Sequence, residues 1–489
     1  MAELKDSYDA VVIGAGIGGL TCGALLAKNE RSVLVAEQSS KPGGCCASFE
    51  HGGYLFDNGI YYLIGCEPGG AIYEILEELE LRQKIELVKM EPAIRIIGSD
   101  YDLRISSAES LEDRLVKLFP MEAMAIREFV AECRATTTES GMFFKKSLDL
   151  MNIWQRISFM ITFLFRYRRM MKYMRKSWQE VVASFFEDPR LRAISLSAFP
   201  YYGPGAMALV MMVLGNTEGF YYPMGGLQAL ADLLNDGLRK YNGDLALDTM
   251  VNRIIVEGDR AVGVELSDGK RVEARYVVSN VDAKQTFLKM VGEERLPLKF
   301  RRELYESQLS PSAFIVSLGV GLNLKGMGFG GTYIIYNPSN DIGELFGPDP
   351  EKCIVSINIH SIIDPSQAPD STTSVQLVAM LPYRVAEGGG AAEEAIADKL
   401  IASAEKVIPR LSEHIICKHI ISPSTFEQST LNSQGATLGW QLTPGGKIRS
   451  QKTPIKNLYQ AGHWTFPGGG VSQVVTSGRN AAELVLRGE

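Results

Sequence analysis

Residues 9–38 read DAVVIGAGIGGLTCGALLAKNERSVLVAEQ, and this stretch decides the fold. Residues 10–13 form a short apolar run that predicts a buried parallel strand. The amphipathic segment 17–28 predicts a helix, and the apolar segment 32–36 predicts a second strand. A strand, a helix and a second strand in this order predict the start of an α/β domain built on a parallel sheet.

Three glycines between the first strand and the helix have the spacing of a dinucleotide-binding turn. Gly14 permits the tight turn, Gly16 lets the backbone approach a pyrophosphate, and Gly19 lets the helix pack close to the strand. Glu37 ends the second strand 18 residues after Gly19, where an acceptor for ribose hydroxyls is expected. The alternative is a glycine-rich turn that holds no ligand. The context favours a Rossmann-type site, and the predicted cofactor-binding residues here are Gly14, Ala15, Gly16, Ile17, Gly18, Gly19, Glu37 and Gln38.

Composition and charge narrow the class of protein. The chain has 489 residues, which suits two or three domains, with an ordinary globular balance of 46% hydrophobic and 22% charged residues. Its net charge of −7 argues against nucleic acid as a partner. The seven cysteines show neither metal-type spacing nor a disulfide framework, so we expect no metal site, reduced thiols and a cytoplasmic location. Neither a signal peptide nor a membrane-spanning helix is predicted.

A second group of glycines follows Glu37 closely. Gly43 and Gly44 form a pair that lets the backbone pass close to an extended cofactor. The segment GYLFDNG, residues 53–59, comes soon after. Nicotinamide-binding domains do not usually carry this insert, so it favours FAD over NAD. The predicted cofactor-binding residues in this region are Gly43, Gly44, Cys45, Gly59 and Ile60.

The C-terminal segment reads as a strand, a glycine-rich loop and a helix. Residues 457–462 predict the strand and residues 472–486 predict the helix. The N-terminus of that helix would direct free N–H groups and a positive dipole at a flavin that becomes anionic on reduction. The alternative is an ordinary strand, loop and helix without a ligand, with His463 an ordinary loop histidine. The predicted cofactor-binding residues here are Gly462, His463, Gly470 and Val471.

The middle of the chain interrupts the predicted FAD domain. Residues 227–241 predict a helix, and strand-like segments follow, with a hairpin at Asp268-Gly269. We assign residues 1–85, 223–289 and 441–489 to a discontinuous FAD-binding domain. The insertions 86–222 and 290–440 then form a substrate domain, with the first insertion mostly helical and the second containing β-rich runs. The predicted fold is therefore α/β, with an inserted α+β substrate domain.

Residues 151–178 read MNIWQRISFMITFLFRYRRMMKYMRKSW and contain no acidic residue. The apolar part is too short to span a bilayer, but it suits a helix lying in the membrane interface. The cations Arg166, Arg168, Arg169, Lys172, Arg175 and Lys176 would then meet anionic lipid head groups. The alternative is a substrate-domain helix with one solvated and one core face. We predict a protein peripheral to the membrane, which contacts it through residues 151–178.

Together these motifs resemble the phytoene desaturase family. The resemblance is carried by GAGIGGL, Glu37, PGG, GYLFDNG, YPMGGLQAL at residues 222–230, and the NLYQAG, FPGGGV and SGRNAAE segments near the C-terminus. These motifs cover about a third of the chain and are specific for the cofactor domain. The family includes carotenoid desaturases, carotenoid cis-trans isomerases and retinol saturases. The segment Gly43–Phe49 is similar to the saturase version and the C-terminal segment to the desaturase version.

The resemblance implies a cofactor and a class of substrate. It implies FAD held non-covalently, with Val251 on a strand beside the adenine. It also implies a long apolar isoprenoid or polyene lipid, which is desaturated, saturated or isomerised through the flavin. NAD(P)H or another electron donor or acceptor would be a transient partner. Such a substrate resides in the bilayer, which agrees with the basic apolar segment.

Aromatic residues are the candidates for the substrate pocket, with core packing as the alternative for each of them. No catalytic acid or base can be assigned from the sequence. Asp57 is interpreted as an acid that caps a turn, and His360 as a core histidine on an apolar strand. Cys45 and Cys46 are interpreted as small packing residues beside the cofactor. The predicted pocket residues are Tyr61, Tyr62, Tyr201, Tyr202, Tyr222 and Trp464.

Two other functions remain open at this point. The first is an enzyme like the amine oxidases, acting on a small polar substrate with oxygen. The second is a non-catalytic prenyl-binding protein like the Rab escort proteins. The intact dinucleotide turn and Glu37 count against the second, because both are hard to explain without a bound dinucleotide.

Overall fold

The computed structural model describes residues 4–140, 147–198, 203–205, 219–386, 388–446 and 448–488. These contain strands and helices that we number in chain order. The strands are β1 Ser7–Ile13, β2 Val33–Ala36, β3 Ser48–His51, β4 Tyr54–Asp57, β5 Leu87–Lys89, β6 Ile94–Ile97, β7 Asp102–Ile105, β8 Tyr221–Pro223, β9 Asp244–Ala246, β10 Val251–Glu257, β11 Arg260–Leu266, β12 Arg271–Ser279, β13 Ser312–Val320, β14 Tyr333–Tyr336, β15 Val355–Asn358, β16 Thr373–Leu381, β17 Ile415–Ile421 and β18 Leu458–Gln460.

Most of the helices lie in three parts of the chain: the N-terminal turn, the first insertion and the C-terminus. The α-helices are α1 Ile17–Lys28, α2 Ala71–Glu78, α3 Ala108–Leu118, α4 Ala123–Ser140, α5 Ile153–Arg166, α6 Arg168–Met174, α7 Trp178–Phe185, α8 Pro189–Ala198, α9 Gln228–Lys240, α10 Leu298–Glu306, α11 Ile342–Leu345, α12 Gly390–Glu405, α13 Pro423–Thr430 and α14 Val471–Arg487. A π-helix spans Gln285–Gly292.

The first sheet has the strand order β10-β11-β12-β1-β2-β9, with β18 also paired to β12. β1 is central and pairs in parallel with β2 and β12. Its four residues from Ala10 to Ile13 are buried, which explains why the sequence is apolar without alternation. The predicted hairpin at Asp268-Gly269 joins the antiparallel strands β11 and β12. Because β1, β2, β12 and β18 are parallel, their carboxyl ends meet at one edge of the sheet.

α1 has the predicted bounds and is buried along nearly its whole length. It packs on the first sheet, α9 and α14. Glycines make this packing possible, because a Cβ on Gly19 would lie 2.1 Å from the Gly14 carbonyl oxygen. A Cβ on Gly478 of α14 would lie 2.2 Å from the Gly18 carbonyl oxygen. The glycines therefore bring the start of α1 against both the β1 turn and α14.

The second sheet has the strand order β17-β13-β16-β15-β14-β6-β7. All nine residues of β13 are buried, because one face packs on α12 and its neighbours and the other faces the rest of the molecule. The strands of the first sheet come from residues 7–36, 244–279 and 458–460. Those of the second come from residues 94–105 and 312–421. The two sheets thus draw on alternating parts of the chain.

The segment from residue 86 to residue 222 contains α3 to α8 in sequence among its described residues. It also contributes β6 and β7 to the second sheet, and β5 pairs with β8. Among the helices described by the structure, none combines the length and the apolarity needed to cross a bilayer.

The crossing of α1 and α14 can be tested by adding one methyl group. We expect Gly478→Ala to lower the free energy of unfolding by about 1–3 kcal/mol, because the new Cβ overlaps the Gly18 carbonyl in a packed core. Gly390→Ala is the control, since Gly390 begins α12 and a Cβ there meets no atom within 4 Å. It should be neutral or stabilising by up to about 1 kcal/mol. Urea unfolding measures both, and equal effects would contradict the packing described.

Candidate functional site

A long cavity of about 320 Å³ opens at the carboxyl edge of the first sheet. The strands β1, β2 and β12 end there, and α1 and α14 begin there. Most of the residues predicted to bind a cofactor line this first cavity. They are Gly14, Gly16, Ile17, Gly18, Glu37, Gln38, Gly43, Gly44, Cys45, Ile60, Val251, Gly462, His463, Gly470 and Val471.

Three further residues of that prediction lie beside this lining. The backbone N–H of Ala15 donates to Oε2 of Glu37 over 2.7 Å. Gly19 supports the turn from below through its contact with Gly14. Gly59 lines a second cavity, described below. Their positions identify Ala15 and Gly19 as residues that shape the turn.

Glu37 is the carboxylate of the first cavity, and its side chain is held in place by the backbone. Besides the bond from Ala15, its Oε1 accepts a hydrogen bond from the N–H of Ser39 over 2.9 Å. The residue is 8% exposed, and what remains accessible faces the cavity. Two backbone donors fix the carboxylate at the end of β2, where it can accept further hydrogen bonds from a ligand.

Two helices begin at the first cavity without a side-chain cap. Gly16 precedes α1, and no acidic residue lies in the first turn of that helix. Gly470 precedes α14 with a φ of 110°, and that first turn also lacks an acid. Uncapped helix N-termini attract anions through their free N–H groups and the helix dipole. The cavity therefore offers two places for negative charge.

Some of the lining could not be found by the sequence analysis. Asn280 follows β12 and lines the first cavity, and its buried Oδ1 has no hydrogen-bond partner. The end of β12 at the same sheet edge is the signal that could have indicated it. A further wall comes from the end of α13 and the loop after it, which carry no motif. That wall consists of Ser429, Thr430, Leu431, Asn432, Thr437 and Leu438.

A second cavity of about 290 Å³ lies between the second sheet and the glycine-rich loops. Its floor is formed by side chains from β13 to β16, and its lining is largely aliphatic and aromatic. Of the described residues that line it, none carries a charged side chain. The two cavities meet, because their linings share Cys45, Ile60, Thr437, Leu438, Gly470 and Val471.

Tyr61 and Tyr62 line the second cavity, as the sequence analysis predicts. Tyr222 and Trp464, which are also predicted for the pocket, are not among the described lining residues of either cavity. Trp464 is fully buried, and its Nε1 donates to Asn432 over 3.2 Å. Trp440, which packs edge-on against it, takes the place at the cavity. The predicted residues Tyr201 and Tyr202 lie outside the described residues.

Tyr222 belongs to a buried polar cluster behind Tyr61. Its hydroxyl donates to Asp57 and accepts from Gln367, and its ring stacks on His360 at 3.9 Å. Tyr222 is completely buried because these partners surround it. The polar hydroxyl thus draws the side chain away from the apolar cavity and into the cluster.

Asp57 links distant parts of the chain, so it does more than cap a local turn. Its carboxylate accepts from Ser48 Oγ over 2.7 Å and from the N–H of Leu227 over 2.9 Å. Its carbonyl accepts from Gln376 of the second sheet over 2.8 Å. Burial raises the pKa of Asp57 to about 6. The backbone that continues from Asp57 to the junction of the cavities is therefore anchored to β3, to the start of α9 and to the second sheet.

His360 is buried, as predicted, although it lies in a short 3₁₀ turn after β15 rather than on the strand. Its Nδ1 lies 3.9 Å from the Asp57 carboxylate, and its buried Nε2 has no hydrogen-bond partner. Burial lowers the pKa of His360 to about 3, so the ring is neutral near pH 7. It acts as a neutral spacer between Tyr222 and Tyr61, with whose ring it is also stacked.

His463 and the adjacent cysteines are also influenced by burial. Burial lowers the pKa of His463 to about 4, and its Nε2 lies 3.4 Å from Oδ1 of Asn432. Burial raises the pKa of Cys45 to about 11, and that of Cys46 well above its usual value. Both thiols are free and protonated at neutral pH. They are thus poor nucleophiles, which agrees with their interpretation as packing residues.

Residues 17–486 match the family model described as flavin containing amine oxidoreductase. The chain belongs to this family. Among curated relatives, prolycopene isomerase of Arabidopsis thaliana is 27% identical, covering 98% of this chain and 82% of the relative. The neurosporene-forming phytoene desaturase of Rhodobacter capsulatus is 25% identical over 97% of this chain and 93% of the relative. An inactive all-trans-retinol 13,14-reductase of Danio rerio is 25% identical over 96% and 84%.

Solved structures have the same fold as this flavin-containing amine oxidoreductase. An oxidoreductase from Methanosarcina mazei superposes with a TM-score of 0.66 at 17% identity, over 97% of this chain and 99% of that one. Putrescine oxidase bound to putrescine gives 0.66 at 14% identity, over 98% and 99%. At these identities the likeness establishes the α/β fold of the amine oxidase type, with its two sheets. Together with the relatives, the family match confirms the resemblance found in the sequence.

Membership of the flavin-containing amine oxidoreductase family implies FAD. The first cavity fits such a cofactor on its own chemistry. It has two uncapped helix starts and a carboxylate that is held in place by backbone donors. These groups match a dinucleotide with an anionic centre and hydroxyl groups.

The raised pKa of Asp57 predicts a pH-dependent stability. Its folded pKa of about 6 lies above the unfolded value of about 3.9, so its contribution is fully present below pH 4 and is lost as the pH rises through 6. Relative to wild type, we expect Asp57→Asn to gain roughly 2–3 kcal/mol between pH 4 and pH 7, on top of a constant loss from altered hydrogen bonds. Thermal unfolding of both proteins across this range measures it. Parallel curves would contradict the assignment.

Proposed function

We propose that the protein is an FAD-dependent oxidoreductase that acts on carbon–carbon bonds of a long apolar isoprenoid or polyene lipid. The observation that carries this proposal is the junction of the two cavities. The first cavity has the groups of a dinucleotide site, and the second has no charged lining residue among those described. They meet at residues that include Cys45, Ile60 and Gly470, where a flavin ring and a substrate would come together.

The character of the second cavity favours a neutral, apolar substrate over an amine. A charged ammonium group that leaves water requires a partner of opposite charge, and none stands among the described lining residues. The floor instead consists largely of aliphatic side chains such as Ala313, Ile335, Val378 and Met380. Burial of a hydrocarbon against such a floor contributes about 25 cal/mol for each Å² removed from water. The relatives named as prolycopene isomerase and phytoene desaturase support the same class of substrate.

The residues of the chain divide the work in this proposal. The start of α1 would hold the pyrophosphate, and Glu37 would accept hydrogen bonds from the ribose hydroxyls. The start of α14 would stabilise negative charge on the flavin ring. When bound, FAD supplies hydride or electron transfer. The second cavity orients the lipid chain and excludes water. In this scheme residues 1–85, 223–289 and 441–489 form the FAD-binding domain and the two insertions form the substrate domain.

The direction of electron flow separates desaturation from saturation and isomerisation. The purified holoprotein is mixed anaerobically with NADH or NADPH, and the oxidised flavin band is followed. Bleaching supports saturation or isomerisation on reduced flavin. If the band persists and then bleaches with a polyene lipid extract, the reaction is desaturation. A preparation that binds no flavin contradicts the proposal and favours a prenyl-binding protein. Peroxide release with amines favours the amine-oxidase alternative.

A variant that fills the second cavity adds a specific prediction. Ala313 lies on β13, and its side chain faces the second cavity. We expect Ala313→Phe to lower polyene turnover at least tenfold, because an added ring occupies the substrate space while the first cavity is unchanged. The flavin content per protein, read from absorbance, is the internal control. Unchanged turnover with full flavin content would show that the substrate binds elsewhere.

A membrane surface is the proposed partner of α5. This helix starts with a capping box between Asn152 and Gln155, and it contains no acidic residue. Phe159 and Phe163 pack inward against the core. The outer side is unusually apolar, since six large hydrophobic side chains are 42–76% exposed. They are Ile153, Trp154, Ile157, Met160, Ile161 and Phe165.

The cations around this helix support lipid contact only in part. Arg169 pairs with Glu132 and Glu139, at 3.5 and 3.8 Å, and Lys172 hydrogen-bonds Tyr173. Exposed cations nearby include Arg166 and Arg168. A helix that is apolar on both sides and flanked by cations suits the interface of an anionic bilayer. α6 also reaches the loop beside the second cavity, because the N–H of Gly445 donates to the Met174 carbonyl over 2.9 Å.

Membrane contact is tested with two matched substitutions. Ile161 on α5 and Ile416 on β17 are 56% and 59% exposed, so an aspartate should be tolerated at both. We expect Ile161→Asp to weaken binding to vesicles containing phosphatidylglycerol about tenfold, because a charge replaces apolar area buried in lipid. Ile416→Asp should bind as wild type does. Cosedimentation measures both. Equal binding of the three proteins would contradict a membrane role for α5.

A further inference from the structure

Three hydroxyl groups lie together in the wall of the second cavity. Tyr333 on β14 and Ser356 on β15 line its floor, and Tyr62 lines it from the loop after β4. The ring of Tyr333 lies 5.0 Å from that of Tyr62, and Ser356 lies on the strand that pairs with β14. Ser356 is paired in register with Ile335, which also lines the cavity. The hydroxyls thus form one polar spot, the hydroxyl cluster, in a largely apolar floor.

Aromatic contacts fix the hydroxyl cluster. The ring of Tyr62 stacks on Phe220 with centroids 4.2 Å apart and is tilted against Tyr333 at 5.0 Å. Phe220 and Tyr333 also contact edge to face at 5.9 Å. Tyr333 is only 6% exposed. Because three rings support one another, the hydroxyls cannot turn away to solvent, and what enters the cavity meets them in place.

The side chains of the hydroxyl cluster carry no charge at neutral pH. Burial raises the pKa of Tyr62 to about 12 and that of Tyr333 well above its usual value, so both hydroxyls keep their protons. Each hydroxyl can then donate one hydrogen bond and accept others. No charged side chain stands among the described lining residues to hold an ammonium or a carboxylate. The cluster is therefore suited to a hydroxyl or carbonyl group.

A pure hydrocarbon would cover these hydroxyls without forming hydrogen bonds with them. Removing a hydroxyl from water without a full set of hydrogen bonds is unfavourable. For a hydrocarbon substrate, phenylalanine and alanine at these positions would therefore serve better than tyrosine and serine. We propose that the lipid substrate carries a neutral oxygen group that hydrogen-bonds Tyr62 and Tyr333, while its chain lies along the apolar floor. This inference rests on the proposed function and narrows its substrate to oxygen-bearing isoprenoids.

The test compares two probes on the FAD-loaded holoprotein. Retinol and the hydrocarbon that lacks only its hydroxyl are titrated in detergent, and the perturbation of the flavin absorption band gives each dissociation constant. We expect wild type to bind retinol about tenfold more tightly, which corresponds to one neutral hydrogen bond. Tyr333→Phe and Tyr62→Phe should each reduce this preference, and the double variant should abolish it. Ser356→Ala is a smaller change that should act in the same direction.

Tyr336→Phe is the matched control, because Tyr336 lies on the same strand but packs on the opposite face of the sheet. It should keep the preference of wild type. Equal affinity of wild type for both probes, or a preference that survives in the double variant, would overturn the inference and leave the proposed function standing. If neither probe perturbs a fully bound flavin, the proposed substrate class fails and the inference fails with it.

Discussion

The close approach of backbone atoms around α1 is the constraint on which the site depends. Gly19 lies against the Gly14 carbonyl, and Gly478 lies against the Gly18 carbonyl. Both contacts are too close to leave room for a Cβ atom on the glycine. Only this packing lets α1 start directly at the end of β1 while α14 starts beside it. Two helix N-termini and the carboxyl ends of five parallel strands thereby lie at one edge of the first sheet. The other segments that line the first cavity are positioned around these helix and strand ends.

Local sequence was sufficient to predict the helices, the strands and the glycine turn of this arrangement. Short-range patterns define α1, the turn before it and the strand that ends at Glu37, because each is fixed by neighbours within a few residues. The same holds for the helix after Gly470. Predicted and observed bounds therefore agree closely at both ends of the chain. The family resemblance rests on these same segments.

What the sequence could not show depends on contacts between distant residues. The wall at residues 429–438 is far in sequence from the glycine turn and meets the first cavity only through the tertiary fold. Tyr222 and Trp464 seemed suited to a pocket, but each has a polar atom whose partner, Asp57 or Asn432, lies far away in the chain. Asp57 likewise reads as a turn residue until Leu227 and Gln376 are seen beside it. Aromatic identity alone does not reveal which side of a wall a ring occupies.

The two faces of the second sheet have different roles: one lines the second cavity and the other packs into a hydrophobic core. On β14, Tyr333 and Ile335 face the cavity, whereas Ile334 and Tyr336 pack into the core on the other side. Since side chains alternate along a strand, each face can change without the other. The strands that form the floor of the second cavity are also remote in sequence from the glycine turn before α1. Relatives could therefore differ in the side chains that line this cavity, through substitutions on one face of one sheet, while the fold stays the same.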